Sequence, residues 1–147
     1  MGNILETEPR PTFRVLSIDG GGYLGLATAA FIRGIEHHLG VRFADRFDLF
    51  CGTSTGAILA LGLAAGRTGE ELTALYQSLG NSVFGKRRFG RGYLFKARYD
   101  NRPLREVLEK EFGGMTLGDI QARKKFALVT AFNLTDGKPR IFKTDHA

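Results

Sequence analysis

The stretch Asp48-Leu49-Phe50-Cys51-Gly52-Thr53-Ser54-Thr55-Gly56-Ala57-Ile58-Leu59-Ala60-Leu61 decides how this chain is read. A short apolar run, a G-x-S-x-G sequence and a second apolar run follow one another without a gap. The first run has the length of a strand, and the second reads as a buried helix. A serine between them sits on a sharp, strained turn that holds its hydroxyl out above the sheet. Gly52 and Gly56 flank the turn for a steric reason: a Cβ at either position would clash with the neighbouring strand and helix. Ser54 is therefore the candidate nucleophile, and acyl transfer is the first reaction to consider.

Upstream, residues 13–18 form a compact apolar strand closed by Asp19-Gly20-Gly21-Gly22-Tyr23-Leu24-Gly25. This loop has two readings. Gly20, Gly22 and Gly25 fit G-x-G-x-x-G, which cradles pyrophosphate in dinucleotide-binding folds and calls for an acid about twenty residues on to hold a ribose. Asp45 and Asp48 are the acids at that distance. Asp48, however, opens the strand leading to Ser54, whereas a ribose-binding acid stands at a strand's C-terminal end. In the second reading the loop is an oxyanion hole. The N–H groups of Gly20, Gly21 and Gly22 converge without side-chain obstruction at a helix N-terminus, whose dipole favours negative charge. The N–H of Thr55, next to the nucleophile, is a further donor. Both loops then lie at the C-terminal ends of parallel strands, where open α/β sheets place their sites.

The rest of the chain supplies the scaffold. Residues 24–39 carry Leu26, Ala30, Ile32, Ile35 and Leu39 at helical spacing, and Gly40 ends that helix. Residues 70–82 read as an amphipathic helix with Leu72, Leu75, Tyr76 and Leu79 inward. Another helix covers 101–112, with Asn101 near its cap and Pro103 in its first turn. Residues 125–132 and 140–144 read as strands joined by a turn at Asp136-Gly137. Strands alternating with helices predict an α/β fold of three layers, with a largely parallel sheet between helices. With 147 residues the chain has room for one domain, read as 13–147 after a flexible lead-in at 1–12. It stops directly after a strand, so a C-terminally incomplete domain is expected. Cys51 is the single cysteine, which excludes an internal disulfide and offers no metal cluster. No metal and no cofactor are expected. The N-terminus lacks a secretory signal and no apolar run reaches membrane-spanning length, so a cytoplasmic location is expected.

The nucleophile needs a base. His37 and His38 lie at the polar end of a helix leading away from the site, and His146 adjoins the terminus without an orienting acid. A Ser-His-Asp triad is poorly supported. A Ser–Asp dyad, in which a carboxylate takes the serine proton directly, is the alternative.

Asp19-Gly20-Gly21-Gly22-x-x-Gly25 followed by Gly52-Thr53-Ser54-Thr55-Gly56 resembles the N-terminal half of a patatin-like phospholipase. The resemblance runs over about residues 14–144. It includes the helix start Asn101-Arg102-Pro103-Leu104 and the strand Arg140-Ile141-Phe142-Lys143-Thr144. It implies a patatin-like fold, Ser54 as nucleophile, the glycine loop as oxyanion hole, and lipid acyl hydrolase activity in a complete member. The base it implies is an aspartate in a later Asp-Gly-Gly/Ala motif. No such motif follows Ser54, since Lys138 comes after Asp136-Gly137, so the aspartate is expected beyond Ala147. Leu24 also departs from the basic residue many members carry before the last glycine of the first motif. Bacterial relatives in the family include phospholipase effectors of nucleotide-triggered antiphage defence. The partners this brings in are a phospholipid substrate at a membrane surface, a nucleotide activator and a homo-oligomer.

The net charge of +6 is concentrated. Lys86, Arg87, Arg88, Arg91, Lys96 and Arg98 stand between Gly85 and Arg98 without an acid, interleaved with Phe89, Tyr93 and Phe95. Lys86, Arg87, Arg88 and Arg91 are candidates for binding anionic headgroups at the inner membrane surface. The segment also suits a phosphorylated activator or a solvated loop, and nucleic acid is the less favoured partner. Three classes of function stay open: a serine acyl hydrolase on phospholipids, a truncated inactive binding or regulatory protein, and a nucleotide-binding domain.

Overall fold

The computed structural model describes residues 12–80 and 102–145. Most of the lead-in, Asn101, His146 and the whole basic segment lie outside the described residues.

In chain order the described elements are β1 (Val15–Ile18), a single 3-10 turn (Gly22–Leu24), α1 (Gly25–Leu39), α2 (Phe43–Arg46), β2 (Leu49–Thr53), α3 (Thr55–Ala64), α4 (Gly69–Leu79), α5 (Arg102–Phe112), α6 (Leu117–Ala122), β3 (Phe126–Asn133) and β4 (Lys138–Lys143). The strands form one sheet in the order β1-β2-β3-β4. β1, β2 and β3 run parallel, with Leu16 beside Phe50 and Phe50 beside Ala127. Their C-terminal ends therefore share one edge, where both the glycine loop and Ser54 sit. β4 returns antiparallel to β3, Asn133 facing Lys138, around a turn in which Gly137 has φ 66°. The Asp136 carboxylate accepts the Lys138 N–H at 3.1 Å. Asp136-Gly137 is thus a hairpin turn, the role its sequence setting implied.

Side chains alternate across the strands. Leu16, Ile18, Phe50 and Ala127 line the face packed by α3, whose Leu59 and Leu63 are wholly buried. α3 is apolar on every side: it packs on the sheet, and Leu72 of α4 reaches it. Gly62 permits that approach, since a Cβ there would stand 2.5 Å from Leu72 Cδ2. α4 in turn packs on α1. Gly69 allows this, because its Cβ would meet the Arg33 Cα at 2.5 Å. The opposite face of the sheet carries Val15, Thr53, Thr130 and Ile141, which are exposed.

The helix ends are held by local chemistry. α1 stops at Gly40, whose φ of 63° is the left-handed conformation a C-terminal glycine supplies. α4 starts with a capping box: Thr68 Oγ1 accepts the Glu71 N–H at 3.2 Å, and Glu71 Oε2 accepts the Thr68 N–H at 2.8 Å. Glu36 serves two further starts, accepting from Phe43 N at 2.8 Å and Gly69 N at 2.6 Å. One carboxylate thereby ties α1 to the beginnings of α2 and α4.

Candidate active site

Ser54 caps the N-terminus of α3 with φ 54° and ψ −125°, and it is exposed. A positive φ at a residue with a Cβ is strained, and it survives only where the surroundings fix it. Here the surroundings are glycines under close contact. A Cβ on Gly52 would lie 2.5 Å from the Gly56 carbonyl carbon and 2.7 Å from Ala57 Cα. One on Gly56 would lie 2.6 Å from the Asp19 carbonyl oxygen. The two glycines let β2, the turn and α3 fold tightly together and press the turn against the end of β1.

The glycine loop reaches the same point from the other side. A Cβ on Gly20 would stand 2.8 Å from both Ser54 Cβ and the Thr53 carbonyl oxygen. The loop is therefore in direct contact with the serine turn, as an oxyanion hole requires. Gly22 uses its conformational freedom, with φ 59°, to turn the chain into the helix. Not every predicted donor is equivalent. The Gly21 N–H donates to Thr55 Oγ1 at 3.1 Å, which engages it within the protein. Gly20 touches the Ser54 turn, Thr55 follows the serine directly, and Gly22 opens the 3-10 turn beyond the loop.

Gly25 has a different task. Its backbone is ordinary right-handed helix, φ −54° and ψ −26°. A Cβ there would fall 2.7 Å from Tyr76 Cζ and 2.8 Å from its hydroxyl oxygen. The last glycine of the motif makes room for the Tyr76 ring. Tyr76 is wholly buried, and its hydroxyl donates to the Thr55 carbonyl. Burial pushes its pKa up to about 12, against the opposing effect of that hydrogen bond. Sequence periodicity placed Tyr76 inward but gave no sign of a partner 21 residues away.

The remaining candidates separate. His37 and His38 are exposed in the last turn of α1. They stand twelve and thirteen residues from its start at Gly25, about 18–20 Å along the axis. Asp45 lies in α2, and the Asp48 carboxylate accepts the Arg14 N–H at 2.7 Å at the N-terminal end of β2. Neither acid is at the edge where a ribose would sit, which leaves the dinucleotide reading without its acid. Asp19 and Leu24 are exposed at the loop, Leu24 by 73%. Beside them a cleft of about 380 Å³ runs along β1 past Leu16, Ile18, Phe31 and Phe43. Cys51 is half-buried behind the turn, and burial raises its thiol pKa, so it is a poor nucleophile. Among the described residues there is no group of three metal-ligating side chains and no helix long and apolar enough to cross a membrane.

A parallel α/β sheet that presents a serine on a strained strand-to-helix turn, faced by a glycine loop, defines the class of nucleophile-elbow domains. The chain belongs to the patatin-like phospholipase family, whose model matches residues 16–146. It is 45% identical over 139 residues to a cGAMP-activated phospholipase of Pseudomonas aeruginosa, covering 92% of this chain and 41% of that protein. Against a cGAMP-activated phospholipase of Vibrio cholerae it is 35% identical over 150 residues, with 90% and 41% covered. Against a cUMP-AMP-activated phospholipase of Escherichia coli it is 48% identical over 130 residues, with 88% and 37% covered. The chain thus spans about two fifths of the length of these relatives.

Proposed function

We propose that this chain is the nucleophile-bearing part of a serine acyl hydrolase that cleaves phospholipid acyl esters. The observation that carries the reading is the strained Ser54, in contact with Gly20 at the C-terminal edge of the sheet. Ser54 Oγ attacks the ester carbonyl carbon, and the carbonyl oxygen becomes an oxyanion facing the N–H of Thr55 and the loop donors at Gly20 and Gly22. Collapse expels the lysophospholipid and leaves an acyl-serine, which water hydrolyses.

The proton of Ser54 goes to a carboxylate, completing a Ser–Asp dyad whose aspartate lies beyond residue 147. The fold favours one place for it. β1 is an edge strand among the described residues, and its C-terminal end meets Gly20 and Ser54. A further parallel strand beside β1 would lie about 4.8 Å away and would end next to the serine. The apolar cleft along β1, with Phe31 exposed at its wall, is where such a strand would pack.

Relatives named as cGAMP- and cUMP-AMP-activated phospholipases support a nucleotide activator for the longer protein, which we read as an antiphage effector acting as a homo-oligomer. Lys86, Arg87, Arg88 and Arg91 then hold the enzyme at the inner membrane surface from the cytoplasm.

The test is a fluorophosphonate probe applied to the chain extended to the length of its relatives. Labelling is expected at Ser54 and is lost in Ser54→Ala. A folded, nucleotide-treated protein that stays unlabelled would remove the hydrolase reading and leave an inactive binding protein.

A further inference from the structure

We propose that Tyr76 is a positioning residue for the oxyanion hole: its hydroxyl holds the Thr55 peptide so that the Thr55 N–H points at the reacting carbonyl. The proposal rests on the hydrolase reading of Ser54.

Packing explains the ring of Tyr76 but not its hydroxyl. The ring fills the space over Gly25, between α1 and α4, and a phenylalanine would fill it as well. A buried hydroxyl costs stability unless it is hydrogen-bonded, and this one is aimed at a single acceptor, the Thr55 carbonyl. That carbonyl lies in the first turn of α3, where a helical carbonyl already has a partner available four residues on. The Tyr76 bond is therefore not needed to satisfy the backbone. It adds a second restraint on one peptide oxygen.

Thr55 is held from both sides. Its Oγ1 accepts the Gly21 N–H at 3.1 Å, and its carbonyl accepts the Tyr76 hydroxyl. Between these two anchors stands the N–H that follows the nucleophile. That N–H and the carbonyl flank the same Cα, so fixing the carbonyl and the side chain limits the φ and ψ rotation that would turn the donor away. The restraint matters because Ser54, one residue earlier, sits at φ 54° and would gain by relaxing. A donor preorganised toward a developing oxyanion lowers the barrier without reorganisation during the reaction. One that wanders by an ångström loses much of that benefit.

The experiment uses Tyr76→Phe, which keeps the ring and removes only the hydroxyl, in the extended chain and in this one. The NMR order parameter of the Thr55 and Gly56 amides is expected to fall from about 0.85 to below about 0.6 while the rest of α3 and the thermal midpoint hold. On an ester substrate kcat is expected to fall about tenfold with KM within about twofold, the pattern of an interaction made only in the transition state. An unchanged order parameter at Thr55 overturns the proposal whether or not the protein is active. So does an unchanged kcat in a protein whose Ser54 takes the fluorophosphonate label. A loss of activity matched by a general loss of stability overturns it too, because the hydroxyl would then be structural. An unlabelled wild-type protein defeats the hydrolase reading alone, and the order-parameter measurement still decides what Tyr76 does to Thr55.

Discussion

Ser54 and Gly25 show two ways in which a single residue is constrained at this site. Ser54 carries a Cβ in a conformation that glycine would adopt more readily, and it is kept there by neighbours that have none. Gly25 has an unstrained backbone and is glycine only because the Tyr76 ring occupies the space of its side chain. Gly25→Ala should therefore destabilise the protein by overpacking, by about 1–3 kcal/mol in urea unfolding. Gly34 supplies the internal control. It lies within the same helix, is exposed, and would place a Cβ in open space. Gly34→Ala should stabilise by roughly 0.5–1 kcal/mol through helix propensity. If both substitutions shift stability in the same direction, the steric account of Gly25 is wrong.

At the scale of elements, the long helices announced themselves and the short ones did not. α1, α4 and α5 span eleven to fifteen residues each and give a periodic signal, while the ten residues of α3 read as an unbroken apolar run. α2 has four residues and α6 has six, fewer than two turns, so no apolar stripe can form in them. For α6 the signal was chemical: Thr116 and Asp119 make a capping box, readable from their spacing alone. β4 begins at Lys138, earlier than the expected 140, because antiparallel pairing with Asn133 continues right up to the turn. The serine turn and glycine loop were legible because their glycines have steric work to do. The hydroxyl of Tyr76 and the Gly21–Thr55 tie were not, since both depend on contacts between distant segments. The capping box of α4 gives a prediction at this scale. The hydrogen bond from the Thr68 backbone N–H, with lesser help from the Thr68 hydroxyl and Arg67, holds the Glu71 carboxyl below its ordinary value against the opposing effect of desolvation. A carboxylate with a depressed folded pKa stabilises the fold above its unfolded pKa, about 4.3, and that contribution disappears as pH falls through the lower folded value. Glu71→Gln should flatten the acid limb of the stability profile in that window, and Thr68→Ala should cost about 1 kcal/mol at neutral pH. An acid limb of unchanged slope in Glu71→Gln would show that other carboxylates govern it.

For the whole molecule, charge is the property that bears most directly on the proposed lipid substrate. The sequence has 21 basic and 15 acidic residues, and the six basic residues between 85 and 98 make up the entire excess. The remaining chain is neutral, so its attraction to an anionic surface is concentrated in one segment. That segment begins five residues after Gly80, against which the Tyr23 ring of the glycine loop packs, and it precedes α5. The described residues thus break off at Gly80, beside the glycine loop that touches the Ser54 turn. Each basic side chain near such a surface contributes about 1 kcal/mol, and salt weakens the attraction within a Debye length. Neutralising Lys86, Arg87, Arg88 and Arg91 together should lower binding to vesicles containing phosphatidylserine by roughly two to three orders of magnitude at low salt. Binding to vesicles of neutral lipid should change little, because Phe89, Tyr93 and Phe95 are retained. Fluorophosphonate labelling of Ser54 in detergent should be unaffected, since the substitutions lie outside the serine turn and glycine loop. Sedimentation with vesicles at two salt concentrations checks all of this, and anionic-vesicle binding that survives the four substitutions would move the membrane contact elsewhere on the protein.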